Sequence, residues 1–362
     1  MKTQSFCQKA IETALEKLFD QPFQGQNTRR FQTMTRLTAG LLSGNEVRIS
    51  ELTTGQASTI QALSEWKKTD RWLTNKWIDV ATYYHPIAKK VLTAVAKKEG
   101  RLVFTMDGSK FGAASEVLMI SVLQGKKALP IVWIVEEGAK GHFSQQVHRQ
   151  LLTSLIELAA DIKTSKVLLA DGEFDGTGLL TDLRNARFEW VIRTSLDRKL
   201  KHEQETFVAH QVSGGVDSSW YIPDCQLSDG TWTHFVSWHL PTHPKGVYLL
   251  TSFENGAEAV SYYRLRFKIE TFFKDQKSNG FHWERSRLGD AERINRLLII
   301  CALAYLWLIG LGLILARKKS WLKRVYRADR DDRSTFALGR MFMKLLIDNR
   351  LPIPDLSKLC QT

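Results

Sequence analysis

Two aspartates stand in equivalent sequence contexts, each after a run of mostly aliphatic residues and directly before a glycine. Asp107 follows the run LVFTM and precedes Gly108, and Asp171 follows KVLLA and precedes Gly172. If both runs are strands of an open α/β sheet, these carboxylates lie at the strand ends where ligands bind. Carboxylate oxygens beside a backbone that a ligand can approach closely suit a hard divalent cation. An aspartate before a glycine is also a common turn, so neither pair decides the chemistry alone.

A further acidic residue stands nearly alone among cations in a charged segment. Residues 257–279, AEAVSYYRLRFKIETFFKDQKSN, have the apolar spacing of a helix. At about 100° per residue, four polar side chains fall within an arc of about 60° beside the apolar face: Tyr263, Arg266, Glu270 and Lys277. A carboxylate flanked by two cations and a phenol can hold a metal ion and bind phosphates on either side of it. The alternative, an exposed helix with ion pairs between turns, does not explain why the acid stands among cations.

The pattern Y-x2-R-x3-E-x6-K, which begins at Tyr263 and ends at Lys277, resembles the Y-R-E-K signature of DDE transposases of the insertion sequence four family. The two Asp-Gly pairs fall where that family has its first two catalytic aspartates. The resemblance spans residues 101–345 and is weaker over the N-terminal hundred residues. The second aspartate and the glutamate are 99 positions apart, which matches the family's habit of inserting a β domain before the glutamate. The inserted segment here, about fifty residues, is short for that family.

The resemblance implies cut-and-paste transposition of an insertion sequence by a homodimer bound to its terminal inverted repeats. It implies two Mg2+ ions, for which Mn2+ can substitute, with Asp107 bridging both and Asp171 and Glu270 each holding one. Two such ions, about 3.5–4 Å apart, activate the attacking oxygen and stabilise the leaving 3′ oxygen. Water cuts first, and the freed 3′-OH then attacks the opposite strand to form a DNA hairpin. A second water opens the hairpin, and the 3′-OH finally joins target DNA.

The resemblance also implies DNA contacts for four side chains: Tyr263, Arg266, Lys277 and Trp238. The first three would hold the phosphates that flank the cut. A hairpin is easier to form if one base leaves the stack, and an aromatic ring can return about 1–3 kcal/mol by stacking on that base. The inserted segment supplies Trp220, Trp232 and Trp238, of which Trp238 is nearest in sequence to the catalytic segment. The alternative is that all three fill the small core of the insertion.

The elements that must position these residues follow the order of a ribonuclease H-like fold. Three strand-like runs joined by glycine-containing turns precede the order helix–strand–helix–strand. The predicted class is therefore α/β, a mixed sheet with flanking helices, interrupted by a small β insertion and bordered by helical N- and C-terminal regions. The predicted domains are a helical DNA-binding domain (1–99), the first part of the catalytic core (100–195), the β insertion (196–246), the second part of the core (247–316) and a basic helical C-terminal region (317–362).

The charge balance indicates a polyanionic partner. Fifty-one Lys and Arg against 38 Asp and Glu give a net charge of +13, with a sequence pI near 9.5. Such a surplus is typical of proteins that bind nucleic acid or an anionic membrane surface, although a basic enzyme without such a partner is the alternative. The resemblance favours double-stranded DNA, both transposon ends and target. A cytoplasmic, nucleoid-associated bacterial protein is expected, because no secretory signal begins the chain.

One apolar segment opposes that localisation. Residues 297–316 contain no charge for twenty positions, which is long enough to span a bilayer. A membrane protein built around this segment is therefore one alternative. We predict instead a buried helix, because the preceding charged helix must lie against a folded core. The glycines Gly310 and Gly312 would allow close packing there.

Other candidate chemistry is weaker. The four cysteines are far apart and predict neither a disulfide framework nor a cysteine zinc site. His239 and His243 have a metal-like spacing, but their proline-bearing segment lacks a third ligand. Asp175 could compete with Asp171, although it lies beyond the strand end. Two rival functions share the acids: another ribonuclease H-like nuclease such as a junction resolvase, and a transposase-derived DNA-binding repressor.

Overall fold

The computed structural model describes residues 2–44, 46–53, 61–138, 142–212, 218–240, 243–327 and 333–354. The helices in these ranges are α1 (Lys2–Glu16), α2 (Gln26–Gly44), α3 (Ile49–Thr53), α4 (Ala62–Leu73), α5 (Val80–Tyr83), α6 (His85–Glu99), α7 (Gln145–Leu158), α8 (Thr177–Asn185), α9 (Gly256–Tyr263), α10 (Lys268–Gln276), α11 (Ala291–Arg317), α12 (Lys319–Val325) and α13 (Thr335–Asp348). The strands are β1 (Arg101–Phe111), β2 (Ser115–Gln124), β3 (Lys127–Glu137), β4 (Ser165–Ala170), β5 (Glu189–Thr194), β6 (Lys199–His202), β7 (Glu205–Val208), β8 (Ser219–Gln226), β9 (Trp232–Leu240) and β10 (His243–Thr251). Short 3-10 helices lie at Gly172–Phe174, Ala209–Gln211 and Trp283–Arg285.

The first five strands form the predicted ribonuclease H-like half of the sheet. Strands β1, β2 and β3 make an antiparallel meander, and β4 and β5 add to β1 in parallel, so the order is β3-β2-β1-β4-β5. Helix α7 precedes β4, and α8 connects β4 to β5 as a parallel pair requires. Every residue of β2 is buried, because helices cover the meander. The α/β class and the mixed sheet with flanking helices are confirmed.

The segment predicted as an insertion extends this same sheet. Strand β10 pairs antiparallel with β5, and β9, β8, β6 and β7 follow in that order. The described strands therefore form one ten-stranded sheet. The pairing arises because β5 offers a free edge that β10 satisfies through backbone hydrogen bonds. The inserted strands thus lie beside the core strands, next to the carboxyl ends of β4 and β5.

The apolar segment 297–316 lies inside helix α11, which is buried as predicted. By length and composition α11 could cross a membrane, but 89% of its most apolar stretch lies inside the protein. It contacts α2, α4, α13 and β3. A Cβ at Gly312 would lie 2.0 Å from the carbonyl oxygen of Thr335, so this glycine allows α13 to approach.

The N-terminal helices are tied to the start of α11 by buried polar contacts. The buried Arg296 side chain donates hydrogen bonds to the carbonyl oxygens of Leu73 and Ile78, at 3.0 and 2.9 Å. Nearby, Arg293 pairs with Asp70 on α4. Because charge-assisted bonds to buried partners are strong, these contacts fix the N-terminal helices against α11.

The charged helix predicted for residues 257–279 is wrong as a single helix. The structure has α9 and α10 separated by a turn at residues 264–267, in and just after which four backbone amides, those of Leu265, Arg266, Lys268 and Ile269, bond to the carbonyl three residues back. Such bonds tighten a helix and change its direction. No glycine or proline marks the break, and the apolar period continues through it. Packing of the turn against the sheet therefore overrides the local helix pattern.

Candidate active site

The register of two parallel strands brings Asp107 and Asp171 together. Met106 of β1 lies opposite Ala170 of β4 in the last residue pair of the ladder, and each aspartate follows directly. Strand β1 does not end at Asp107, as the sequence suggested, but continues to Phe111 through its pairing with β2. Asp171 does end its strand and precedes a short 3-10 helix. The predicted juxtaposition at the carboxyl edge of the sheet is present.

Both aspartates are oriented by the glycine that follows them. Oδ1 of Asp107 accepts a hydrogen bond from the amide of Gly108, and Oδ1 of Asp171 accepts one from Gly172, each at 2.8 Å. A Cβ at Gly108 would lie 3.1 Å from the ring of Phe143, so a side chain there would press on that ring. The second carboxylate oxygen of each aspartate is left to face the third element.

The third element is the turn before α10 together with its first helical turn. Arg266 lies in the turn, and its guanidinium contacts three carboxylates. It donates to Oδ2 of Asp107 at 3.3 Å and to Oε1 of Glu270 at 2.9 Å, and it lies 3.7 Å from Oδ2 of Asp171. The Arg266 side chain is 5% exposed, whereas the three acids are 22%, 49% and 36% exposed for Asp107, Glu270 and Asp171. One buried cation thus gathers three acids from three separate elements.

Burial sets the protonation of the innermost acid. It raises the pKa of Asp107 to about 6, and the negative charges of Asp171 and Glu270 act in the same direction, while the Arg266 guanidinium opposes them. A cation held at this position favours the ionised form. Near neutral pH the site therefore holds a carboxylate whose charge depends on a neighbouring cation.

The other two residues of the predicted arc are placed differently from one another. Tyr263 is 1% exposed with its ring beside Arg266, and burial raises its pKa to about 12. Lys277 follows the end of α10, where partial burial lowers its pKa, with Asp107, Lys110 and Glu284 among the charges that act on it. The geometry therefore supports a contact role for Lys277 more directly than for Tyr263, whose side chain packs behind the arginine.

Trp238 lies outside this cluster, in strand β9 between its partners Val247 and Ser219. Its ring is 6% exposed, and the guanidinium of Arg264 lies 4.9 Å from the ring centre. A base that stacked on this ring would therefore have to displace Arg264, which belongs to the same turn as Arg266. The base-holding role of Trp238 stays a prediction.

A cleft of about 500 Å³ opens beside the acids and includes residues that the sequence did not single out. Arg193 of β5 lines the cleft 3.7 Å from Asp171. Glu173 accepts a hydrogen bond from the amide of Phe143 at 2.7 Å and lies near His142. A cation directly after the apolar run WVI, near the end of a predicted strand, was the available signal for Arg193.

The rival candidates have other partners. Asp175 bonds to the hydroxyl of Thr194 and pairs with Arg198, so its carboxylate is occupied away from the cluster. His239 lies beside Tyr248 and near the hydroxyl of Ser237. The side chain of His243 lies outside the described residues.

The donor chemistry of the cluster suits a divalent cation, but the arginine occupies its centre. Among the described residues no three His, Cys, Asp or Glu side chains are close enough together to hold a metal ion. At the acidic cluster the Arg266 guanidinium contacts all three carboxylates. Three carboxylates are hard oxygen donors of the kind that Mg2+ and Mn2+ prefer. The set therefore fits such ions once the guanidinium moves aside.

Solved structures to which the chain is distantly similar include the following two. The first is the cryo-EM structure of the piggyBac transposase synaptic complex with hairpin DNA, with 15% identity, a TM-score of 0.49, and coverage of 99% of this chain and 84% of that chain. The second is the crystal structure of the catalytic domain of human endonuclease V, with 13% identity, a TM-score of 0.25, and coverage of 56% and 80%. A comparison with curated proteins gives no match.

The comparison with protein families is decisive. Residues 117–307 match the family described as the transposase DDE domain. The matched span contains Asp171 and Glu270 and begins ten residues after Asp107. It covers more than half of the chain, and it includes the strands and helices that carry two of the three gathered acids. The chain therefore belongs to the DDE transposases.

Proposed function

We propose that this transposase excises and integrates an insertion sequence by metal-dependent phosphodiester hydrolysis and strand transfer, with Asp107, Asp171 and Glu270 as its metal-binding acids. The observation that carries this proposal is the convergence of these three carboxylates on one guanidinium at the carboxyl edge of β1 and β4. A guanidinium in that position indicates a site that stabilises positive charge. DDE transposases use divalent metal ions, and the proposal assigns two Mg2+ to this site, with Mn2+ able to substitute.

In this proposal some residues of the chain bind the metal ions and others bind the DNA phosphates. When bound, the two ions activate the attacking oxygen and stabilise the leaving 3′ oxygen. Asp107, Asp171 and Glu270, whose carboxylates converge on Arg266, would together hold these ions. Arg266, released from the acids, can bind a phosphate oxygen of the DNA, since a guanidinium binds carboxylate and phosphate with the same geometry. Arg193, which lines the cleft beside Asp171, and Lys277, which interacts electrostatically with Asp107, would bind phosphates near the cut.

The strand chemistry that this site would perform follows four steps. Water first breaks the phosphodiester at the transposon end and leaves a 3′-OH. That hydroxyl attacks the opposite strand, which forms a hairpin and releases the flanking DNA. A second water opens the hairpin and restores the 3′-OH, which then joins target DNA. Each step exchanges one oxygen for another at phosphorus, so one set of acids can perform all four.

Hairpin formation places a demand on the strand that Trp238 could meet. Bending one strand back sharply is easier when a base leaves the stack, and stacking on an aromatic ring offsets part of that cost. The contact of Arg264 with the Trp238 ring supports a coupled movement. Arg264 and Arg266 share a turn, so DNA binding would free the ring and the acids together.

The partners proposed are the terminal inverted repeats, the target DNA and a second copy of this chain. The net charge of +13 supports binding to a polyanion. A homodimer would hold both ends of the element in one complex, and the protein would act where bacterial chromosomal DNA lies.

The test is a gel assay that uses DNA from the flanks of the encoding gene and follows cleavage and joining separately. A transposase yields nicked, hairpin and joined products in the presence of Mg2+. A junction resolvase would release cleaved products without joining. A repressor would bind the ends and cut neither strand, which would overturn the proposed function.

A further inference from the structure

A second cavity, of about 450 Å³, lies between the N-terminal helices and the segment that follows α10. Its lining combines an aromatic ring with several cations: Trp66, Arg48, Arg287 and Arg293, with Asp70 and Leu288 beside them. The Trp66 side chain is 41% exposed although indole rings are usually well buried. Arg293 already pairs with Asp70. Arg287 is exposed, and Arg48 lies partly exposed beside Glu46. The cavity is therefore positively charged and has an accessible aromatic side chain.

The cavity is connected to the acidic cluster by a continuous line of contacts. The amide at the end of β1, on Gly112, donates to the carbonyl oxygen of Trp283 at 3.1 Å. Asp107 lies four residues before the last residue of that strand, on the order of 13 Å from its end. A Cβ at Gly112 would lie 3.1 Å from the carbonyl oxygen of Ser286, which lines the cavity. The amide of Val47 donates to the carbonyl oxygen of Phe281 at 3.0 Å, which joins the cavity wall to the same segment.

The charges along this line favour a phosphate backbone. Lys277 interacts electrostatically with both Glu284 and Asp107. Glu46 accepts a hydrogen bond from Arg48 and interacts electrostatically with both Arg285 and His282. A succession of cations thus leads from the acids, past the end of α10, to the cavity. About two to four nucleotides of extended single strand would span that distance.

We propose that this cavity binds an unpaired nucleotide of the DNA strand that leaves the active site beside the cut, with its base on Trp66 and neighbouring phosphates on Arg48 and Arg287. The inference rests on the proposed function, because it takes that cut as its starting point. Its volume is within the range of small-ligand sites and accommodates one nucleotide. Stacking on an aromatic side chain needs no particular base, which suits flanking DNA that differs at every insertion site.

The experiment measures DNA binding without divalent ions, by fluorescence anisotropy in EDTA. The two probes are duplexes from the flanks of the encoding gene, one blunt and one with a three-nucleotide single-stranded tail at the cleavage position. Trp66→Ala should weaken binding of the tailed probe about tenfold, while binding of the blunt probe changes by less than about twofold. Trp66→Phe should restore most of the affinity. Trp77→Ala is the matched control, because Trp77 is 64% exposed but does not line the cavity.

A second measurement locates the tail. With 5-iodouracil in the tail, irradiation should crosslink the DNA to the peptide that contains Trp66, and Arg287→Ala should reduce the salt dependence of tailed-probe binding. Equal losses on both probes, equal effects of Trp66→Ala and Trp77→Ala, or a crosslink elsewhere would overturn the inference and leave the proposed function standing. No binding of either probe by the unaltered protein would contradict the proposed function itself.

Discussion

Two aspartates, Asp107 beside the start of α10 and Asp275 near its end, have similar pKa values but different surroundings. Burial raises the pKa of both Asp107 and Asp275 to about 6. Asp275, near the end of the helix, is 1% exposed, and the cations that oppose its burial are Lys127 and Arg340. A Cβ at Gly280 would lie only 2.1 Å from the carbonyl oxygen of Asp275, which shows how closely the chain packs there.

The Asp107 side chain can be reached by solvent and substrate, whereas that of Asp275 is buried. Its side chain is 22% exposed, borders the 500 Å³ cleft and shares one cation with two other carboxylates. A raised pKa therefore marks burial at both ends of the helix and does not by itself identify the reacting site. What distinguishes the active site is that several acids meet where a substrate can reach them.

The largest expected effect is the loss of strand cleavage when one of the three gathered acids is replaced. Asp107→Asn, Asp171→Asn or Glu270→Gln should reduce strand cleavage by on the order of a thousandfold or more, because an amide oxygen packs similarly but binds Mg2+ poorly. Binding to transposon-end DNA should stay nearly unchanged. Cleavage assays and gel-shift titrations on the same preparations measure the two effects, and a fully active Glu270→Gln variant would remove this assignment.

Replacing the buried Asp275, near the other end of α10, should change the stability of the fold rather than cleavage. The folded pKa of Asp275 lies above its ordinary value of 3.8, so its contribution to stability is present below about pH 4 and lost as the pH rises through about 6. Asp275→Asn should therefore be more stable than the unaltered protein at pH 8, by about 2–3 kcal/mol, with the difference shrinking toward pH 4. Urea unfolding at several pH values measures this difference. A difference that does not change with pH would contradict the explanation.

The arginine that gathers the acids should limit metal binding before DNA arrives. Arg266→Gln should bind Mn2+ about tenfold more tightly in the absence of DNA, because the three carboxylates are no longer neutralised. Calorimetric titration measures this affinity. Glu270→Gln in the same background should abolish the gain, and unchanged Mn2+ affinity in Arg266→Gln would show that the guanidinium does not compete for the site.

The smallest expected effect is on hairpin formation, when Trp238, which lies outside the acidic cluster, is replaced. Trp238→Ala should allow the first nick but slow hairpin formation severalfold, by about the cost of losing one stacked base. An abasic site at the flipped position should partly restore the rate. Time courses that separate nicked from hairpin products measure this, and equal loss of both products would mark Trp238 as a packing residue.

The sequence predicted the parts of the fold that local pattern controls. Strands β1 to β5 and helices α7 and α8 have clear apolar periods, and the Asp-Gly pairs mark one sheet edge. The break between α9 and α10 has no local signal, because packing against the sheet decides it. The pairing of β10 with β5 depends on which sheet edge is free, which a single segment does not encode. The position of Arg266 among the acids, rather than beside them, also required the tertiary structure.

The most direct test of the central claim is a metal-specificity switch at the gathered acids. A thiolate binds Mg2+ poorly but accepts softer divalent ions better, so Asp171→Cys should lose cleavage in Mg2+ and regain it in Mn2+. Asp175→Cys is the matched control, because Asp175 lies four residues away and pairs with Arg198. This control should be affected equally in both metals. Cleavage by Asp171→Cys that is as fast in Mg2+ as in Mn2+ would contradict the claim that this carboxylate binds the metal.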